Sequence, residues 1–148
     1  MPFPQTEIPG RLQAQLASRG IRMTSQRRAI LSVIETAKKH LHAGQILRKA
    51  QRLNASVDRS TVYRTLELLK RHGIIDELDL MHMETEGHYY ERKVAPDHIH
   101  MACLRCGKIT EFRSETFDSL KQQLERDCRF SIVVARLEVG GYCPACRQ

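Results

Sequence analysis

The sequence contains no run of 18 or more apolar residues, which is the length that a membrane-spanning helix needs. Its first ten residues, MPFPQTEIPG, also lack the basic start and the apolar stretch of a secretory signal. We therefore expect a cytoplasmic protein that has no membrane partner. With 148 residues, the chain can form one domain or two small ones, and small domains often depend on a metal or a partner subunit for stability.

Basic residues are in excess only in the first half of the chain. Residues 1–80 contain 14 Lys and Arg against 7 Asp and Glu, whereas residues 81–148 contain 10 of each kind. The formal net charge of +7 therefore belongs to the first half. Such an excess suits a polyanion such as nucleic acid, because contacts with phosphates supply most non-specific affinity. Charge alone is equally compatible with a solvated basic surface.

Five cysteines in a chain without an export signal favour metal ligands over disulfides. Four of them form two C-x2-C pairs, Cys103 with Cys106 and Cys143 with Cys146. Two such pairs complete a tetrahedral shell of four thiolates for a structural Zn²⁺. Cys128 stands alone, and we expect it to be a half-buried thiol without a function.

The 36 residues between the two pairs (107–142) are more than a compact zinc ribbon contains. Their pattern accounts for the difference, since GKITEF is typical of a strand, SETFDSLKQQLERD of a helix, and FSIVVARLEVGGY of a strand. A β-α-β path of this kind brings the second pair back beside the first. A redox role for one pair is disfavoured, because neither pair opens a helix in a thioredoxin-like context.

The spacing of apolar residues in the first half predicts four helices. The first covers residues 11–19, and the second begins after a cap at Thr24 or Ser25. The third covers residues 43–53, and we expect its apolar stripe, which includes Leu53, to face the core.

The fourth helix lies between Asp58, a natural N-cap, and Gly73, a natural C-terminal stop. One face is apolar, and the other can contact bases or phosphates. The polar residues of that second face are Arg59, Ser60, Tyr63 and Arg64. If IIDEL and GHYYERKV then form a hairpin, this helix is the recognition helix of a winged helix. A solvated basic face has the same pattern.

His98 and His100 are two residues apart, so that on a strand their side chains project from the same face. If four thiolates fill the zinc site, both imidazoles remain available for a second metal. Compatible partners exist in His40, Glu91 and Glu111. This set of nitrogen and oxygen donors suits Fe(II), Mn(II) or Zn(II) and contains no soft sulfur.

Four segments, GIRMTSQRRAIL, STVYRTLELLKRHGII, DHIHMACLRCGKITEF and CPAC, together resemble the ferric uptake regulator family of metal-dependent repressors. The resemblance implies an α+β fold, with an N-terminal winged-helix DNA-binding domain (1–90) followed by a small α/β dimerisation domain (91–148). It also implies a homodimer on double-stranded operator DNA. In it, Tyr63 and Arg64 contact the major groove and Arg22 reaches the minor groove.

The resemblance further implies a regulatory metal site made of three imidazoles and two carboxylates. Its ligands are His40, Glu91, His98, His100 and Glu111. A metal bound by all five would hold the two domains in one orientation, and in a dimer that orientation sets the spacing of the recognition helices.

Two departures from the family pattern produce separate expectations. Many members carry a third metal site, but Ile99 and Ala135 cannot act as ligands there, so that only Asp97 and Asp118 remain and we expect no third site. His42 stands where a Ser or Thr usually caps the third helix. A weak cap and an extra metal ligand are the alternatives for this imidazole, and we expect it to be exposed to solvent.

These features predict a repressor of metal-homeostasis genes that senses Fe(II), and not an enzyme. Peroxide sensors of the family usually carry aspartates in place of Glu91 and Glu111, and zinc sensors typically add a cysteine to the site. Sensing of peroxide, Mn(II) or Zn(II) stays open as an alternative. From other classes, a non-haem metalloenzyme is disfavoured because five protein ligands leave little room for a substrate, and a purely structural zinc module leaves the basic helix unexplained.

Overall fold

A computed structural model of the chain describes residues 10–37, 40–79, 87–93 and 97–147. They fall into two units, which we call unit 1 (the first three of these ranges) and unit 2 (97–147). Among the described residues, no helix combines the length and the apolar character that crossing a membrane requires.

Unit 1 consists of four helices and a three-stranded sheet. Its elements are α1 (Arg11–Ala17), α2 (Ser25–Thr36), β1 (Leu41–His42), α3 (Ala43–Leu53), α4 (Arg59–Arg71), β2 (Ile75–Leu78) and β3 (Tyr89–Arg92). The strand order is β1-β3-β2, and both pairings are antiparallel. The hairpin β2-β3 follows α4 directly, which is the arrangement of a winged helix, and the predicted α+β class is confirmed.

The ends of the helices follow from local sequence. Thr24 caps α2 by accepting a hydrogen bond from the backbone N–H of Arg27, and Asp58 caps α4 by accepting one from Thr61 at 2.7 Å. At the other end of α4, Gly73 adopts a φ of 65°, a left-handed conformation that favours glycine. The predicted caps and stop of these two helices are confirmed.

The core of unit 1 is continuous and apolar. Its largest fully buried side chains include Leu16, Ile30, Leu31, Ile46, Val62, Leu66 and Leu69. Leu53, by contrast, is 61% exposed, so that its expected burial was wrong. It is the last residue of α3, and the apolar stripe therefore extends beyond the point where another element covers the helix.

Unit 2 places one helix beside a three-stranded sheet. Its elements are β4 (Ile99–Cys103), β5 (Ile109–Phe112), α5 (Glu115–Cys128) and β6 (Glu138–Gly141). The strand order is β5-β4-β6, with β4 antiparallel to β5 and parallel to β6. The predicted strand over residues 130–142 was too long, because only Glu138–Gly141 pair with β4, and 129–137 belong to no helix or strand.

Few side chains of unit 2 are buried within a single chain. The apolar residues Leu120 and Leu124 of α5 are 49% and 43% exposed, and no residue of that helix is buried. Cys128, the last residue of α5, is exposed, so that the expected half-burial of this thiol was wrong. A unit with so little core of its own depends on other sources of stability, of which a bound metal and a second subunit are the usual ones.

Candidate metal centres and nucleic-acid interface

The two C-x2-C pairs meet in unit 2. Cys103 ends β4 and Cys106 lies in the turn after it, whereas Cys143 and Cys146 lie in the turn that follows β6. The four Sγ atoms all lie within 4.8 Å of one another, and those of Cys106 and Cys143 are 3.8 Å apart. In a tetrahedral zinc site with Zn–S bonds of about 2.3 Å, neighbouring sulfur atoms are also about 3.8 Å apart. The four thiols therefore fit Zn²⁺ as it is bound in structural sites.

Backbone hydrogen bonds lower the pKa of one of these thiols, that of Cys103. Hydrogen bonds from the backbone N–H groups, first of Cys106 and then of Cys143, lower the pKa of Cys103 to about 6. The N–H of Cys143 lies 3.4 Å from the sulfur of Cys103. Hydrogen bonding with the Cys143 thiol raises the pKa of Cys146 to about 12. The Cys103 thiol therefore ionises more readily than the Cys146 thiol, and binding of zinc would displace the proton of Cys146.

The first of the two turns depends on a glycine. The N–H of Gly107 donates to the carbonyl of Cys103 at 2.9 Å, and Gly107 has a φ of 72°. A side chain in this left-handed conformation would strain the turn that presents Cys103 and Cys106. The sequence C-x2-C-G thus includes the residue that lets the chain close around a metal.

Unit 2 also brings three nitrogen and oxygen donors together. The Nε2 atoms of His98 and His100 lie 3.0 Å apart. Glu111 lies directly opposite His100 in the β4–β5 pairing, so that the two side chains share one face of the sheet. Adjacent ligands of an octahedral metal, with bonds of about 2.1 Å, are about 3.0 Å apart. The 3.0 Å between the two imidazoles is also the distance of a hydrogen bond between them. Of these three donors, His100 and Glu111 have ligand atoms within 4.8 Å of each other in one compact group, and His98 does not belong to that group.

A further carboxylate beside this group was missed in the sequence. The parallel pairing of β4 with β6 places Glu138 next to His100, on the side opposite to Glu111. Carboxylates beside metal-binding histidines commonly accept the second ring N–H and orient the imidazole. No local pattern marks Glu138, because its place depends on how the chain returns to β4 after α5.

Unit 1 contributes a separate pair of donors. The Nε2 atom of His40 lies 2.6 Å from Oε2 of Glu91, and the two side chains are only 9% and 13% exposed. The pairing of Leu41 with Tyr90 brings them together, because one further step in this antiparallel register sets His40 opposite Glu91. The neighbouring strands β1 and β3 thus join residues that are far apart in the sequence.

The two carboxylates at the positions considered for a third metal contact a lysine instead. The Nζ atom of Lys121 lies 2.7 Å from Asp97 and 2.9 Å from Asp118. Hydrogen bonds to Asp97 and then to Asp118 raise the pKa of Lys121, so that the ammonium is charged at neutral pH. Both carboxylates are therefore engaged with a cation that the chain itself supplies.

The polar face of α4 is open to solvent. Arg59, Ser60, Tyr63 and Arg64 are all exposed. The Cζ atom of Arg59 lies 5.5 Å from the centre of the Tyr63 ring, within the range of a cation–π contact. These side chains lie in the first half of α4, which is the part of a recognition helix that meets base edges.

The loop that carries Arg22 is tied to the rest of unit 1. Arg22 is exposed, and its backbone carbonyl accepts a hydrogen bond from the guanidinium of Arg27. At the start of α2, the side chain of Gln26 donates to the carbonyl of Ser56 at 2.7 Å. The loop before α2 and the loop before α4 are therefore connected, which suits two parts of one nucleic-acid interface.

Sequence and structure comparisons agree on the family. The model of the ferric uptake regulator family matches residues 18–140. A ferric uptake regulation protein of Synechococcus elongatus is 33% identical over 139 residues, covering 93% of this chain and 93% of its own.

Two solved structures show the same likeness in three dimensions. The ferric uptake regulator of Francisella tularensis with iron is 29% identical, with a TM-score of 0.71, over 87% of this chain and 96% of that one. A zinc-bound manganese uptake regulator is 32% identical, with a TM-score of 0.65, over 89% and 98% of the two chains. With the winged helix and the clustered metal ligands, these matches show that the chain belongs to the ferric uptake regulator family, which consists of metal-responsive DNA-binding transcriptional regulators and not of enzymes.

Proposed function

We propose that this protein is a homodimeric repressor of metal-homeostasis genes that binds operator DNA in the cytoplasm when Fe(II) is present. Residues 1–90 would act as the DNA-binding domain and residues 91–148 as the metal-binding dimerisation domain. The observation that carries the proposal is the pair of imidazoles, His98 and His100, whose Nε2 atoms lie 3.0 Å apart beside Glu111.

Two metals would serve different purposes. Zn²⁺ bound by Cys103, Cys106, Cys143 and Cys146 would stabilise unit 2, whose own core is small. The regulatory metal would bind His98, His100 and Glu111 from unit 2, together with His40 and Glu91 from unit 1. The positions of the donors support this assignment. Within unit 2, His98 lies beside His100, and within unit 1, His40 lies beside Glu91, so that each half holds its own donors close together.

The proposed mechanism follows from the distribution of ligands over both units. If His40 and Glu91 and the donors of unit 2 held one metal, its binding would favour the arrangement in which the two halves meet. The gain would equal the difference between the metal's affinity for that arrangement and its affinity for others. In a dimer, this choice sets the distance between the two copies of α4 along the DNA. Loss of metal would remove the constraint and release the operator.

On the DNA side, the exposed residues of α4 would read the operator. Tyr63 and Arg64 would contact the major groove, with Arg59 and Ser60 at its edge or on the phosphates, while Arg22 would enter the minor groove. The net charge of +7, concentrated in residues 1–80, would add the non-specific attraction to phosphates.

Mn(II) is the second candidate for the regulatory metal. The five donors are nitrogen and oxygen atoms, which both Fe(II) and Mn(II) accept. Among the relatives, one structure carries iron, and another is a manganese uptake regulator with zinc bound. The carboxylates at positions 91 and 111 are glutamates, which favours metal uptake control over peroxide sensing.

A binding titration tests the proposal. The full-length protein, loaded with zinc at the four cysteines, is titrated onto a duplex that it selects from a random library, with Fe(II), Mn(II) or Zn(II). We expect Fe(II) to increase affinity by roughly tenfold or more, which corresponds to a coupling of about 1.4 kcal/mol. Binding that is the same with and without every metal would refute the metal-dependent mechanism. Release by mild peroxide in the Fe(II) form alone would instead identify a peroxide sensor.

A histidine pair provides the control for that titration. His100→Ala is expected to abolish the effect of the metal, since this imidazole is buried among the proposed ligands. His88→Ala removes an imidazole that is 49% exposed on the unit 1 hairpin and is expected to leave the effect intact. If both variants behaved like the parent protein, the assignment of His100 would be wrong.

A further inference from the structure

His42, which we expected to be exposed to solvent, is the N-cap of α3. The Nδ1 atom of His42 accepts a hydrogen bond from the backbone N–H of Gln45 at 3.3 Å. The side chain of Gln45 in turn accepts one from the backbone N–H of His42 at 3.0 Å. This is a capping box, in which two residues satisfy each other's free N–H groups at the start of α3. The imidazole is half-buried, and the expected exposure of His42 was therefore wrong.

The surroundings of this imidazole fit its shape. A Cβ atom added to Gly44 would lie 3.2 Å from both Cε1 and Nδ1 of His42, so that the glycine leaves the room that the ring occupies. On its other side, the ring meets that of Tyr89 edge to face, with centroids 6.0 Å apart. One side chain thus contacts both the first turn of α3 and strand β3.

The position of β1 depends on this double contact. The strand has only two residues, Leu41 and His42, which pair with Tyr90 and Tyr89 of β3. Two paired residues supply little register of their own, because a strand is held by the sum of its cross-strand contacts. The capping box and the contact with the Tyr89 ring both involve His42, one of these two residues. They therefore help to fix the register of β1 against β3, which two paired residues alone hold only weakly.

The residue just before β1 is His40, whose Nε2 lies 2.6 Å from Glu91 of β3. A slip of β1 by one residue would move His40 away from Glu91 and turn its side chain to the other face. We propose that His42 is a positioning residue of the regulatory metal site, which holds His40 against Glu91 by joining the start of α3 to Tyr89. This inference rests on the proposed function, in which His40 and Glu91 bind the regulatory metal.

The histidine does what a shorter cap cannot. A serine hydroxyl could accept the bond from Gln45, but it would not reach the ring of Tyr89. The chain therefore combines two contacts in one side chain, and the two can be separated by substitution. His42→Ser keeps the cap and loses the ring contact, whereas His42→Ala loses both.

The test measures the affinity for Mn(II) in full-length protein whose four cysteines hold zinc, from the electron paramagnetic resonance signal of free Mn(II). We expect His42→Ala to weaken binding by roughly 10-fold to 100-fold, as is usual when a residue that orients metal ligands is removed. His42→Ser should have an intermediate effect. Thr24→Ala, which removes the side-chain cap of α2 in the same unit, should change the affinity less than about twofold.

Two further readings separate this inference from its premise. Glu91→Ala must also weaken Mn(II) binding, and if it does not, the proposed ligand set fails. If Glu91→Ala weakens binding while His42→Ala and His42→Ser leave it unchanged, the positioning role of His42 alone is refuted. If thermal unfolding showed that His42→Ala does not fold, the comparison of His42→Ser with Thr24→Ala would decide. Equal affinity in those two variants would count against the inference.

Discussion

The sulfur atoms of Cys106 and Cys143 lie 3.8 Å apart, although they belong to different C-x2-C pairs with 36 residues (107–142) between them. The distance equals that expected between two ligands of one tetrahedral zinc ion, about 3.8 Å. The contact closes a path that runs through β5, α5 and β6 and ends beside the strand where it began. The metal would therefore stabilise unit 2 by joining its first strand to its last turn.

Removal of one of these sulfurs should release the zinc. We expect Cys143→Ser to lower tightly bound zinc from about one ion per chain to nearly none, because three thiolates leave the tetrahedral shell incomplete. Elemental analysis after dialysis against a mild chelator provides the measurement. Cys128→Ser is the matched control, since this exposed thiol lies apart at the end of α5. Full zinc retention in Cys143→Ser would contradict the assignment.

Substitutions on α4 should weaken binding to DNA without affecting metal. We expect Arg64→Ala to weaken operator binding by about 1–3 kcal/mol and to reduce the preference for operator over random DNA. The physical reason is the loss of an exposed guanidinium on the face of α4 that we propose contacts base edges. Fluorescence anisotropy at several salt concentrations measures both effects. Arg126→Ala, which removes an equally charged and 72% exposed side chain from unit 2, should have a smaller effect on specificity.

The cap of α4 should make stability depend on pH. The backbone N–H of Thr61 donates to Asp58 and lowers the pKa of that carboxyl, so that the folded state favours the ionised form. The resulting stabilisation is present above the unfolded pKa of about 3.9 and is lost as the pH falls through the lower folded value.

Two variants at this position separate charge from hydrogen bonding. The difference in Tm between the parent protein and Asp58→Ala should be constant from about pH 5 to about pH 8 and shrink below about pH 4. Asp58→Asn keeps an acceptor without the charge and should lose less stability than Asp58→Ala. A difference that grows as the pH falls would contradict the role of the carboxylate. Circular dichroism melting curves at each pH supply the data.

A charged residue placed on the exposed apolar face of α5 should weaken dimerisation. Leu120 and Leu124 lie one turn apart and are 49% and 43% exposed in the single chain. If they pack against a second subunit, Leu124→Glu buries a charge there and should raise the dimer dissociation constant by roughly tenfold or more. Gln122→Glu adds the same charge two residues away, where helical geometry places it on another face, and should leave the dimer intact. Sedimentation velocity compares the two, and equal behaviour would refute this use of the face.

Local sequence rules predicted those elements whose causes are local. The third helix was predicted at 43–53 and is observed at Ala43–Leu53, and the cap and stop of α4 are Asp58 and Gly73 as expected. These features depend on the spacing of apolar residues and on hydrogen bonds between near neighbours, which the order of residues already contains. The same holds for the C-x2-C pairs, because two cysteines at this spacing already predict metal ligands.

The wrong expectations concern contacts that cross the fold. Leu53 continues the apolar stripe of α3 but is the last residue of the helix and is 61% exposed. Residues 130–137 belong to the predicted strand, yet they form no strand, and of them Leu137 alone has a backbone hydrogen bond to β4 among the described residues, from the N–H of His100. His42 caps α3 because Gly44 leaves room for its ring and Tyr89 lies beside it.

The sequence by itself determined the class of the protein: its helices, its two pairs of thiols and its basic first half follow from residue types and their spacing. Only the tertiary structure decided which donors meet. The register of β1 against β3 sets His40 beside Glu91, and the pairings of β4 set His100 between Glu111 and Glu138. The reason is that hydrogen-bonded register joins residues distant in the chain, and a shift of one residue would turn each of these side chains to the other face of its sheet.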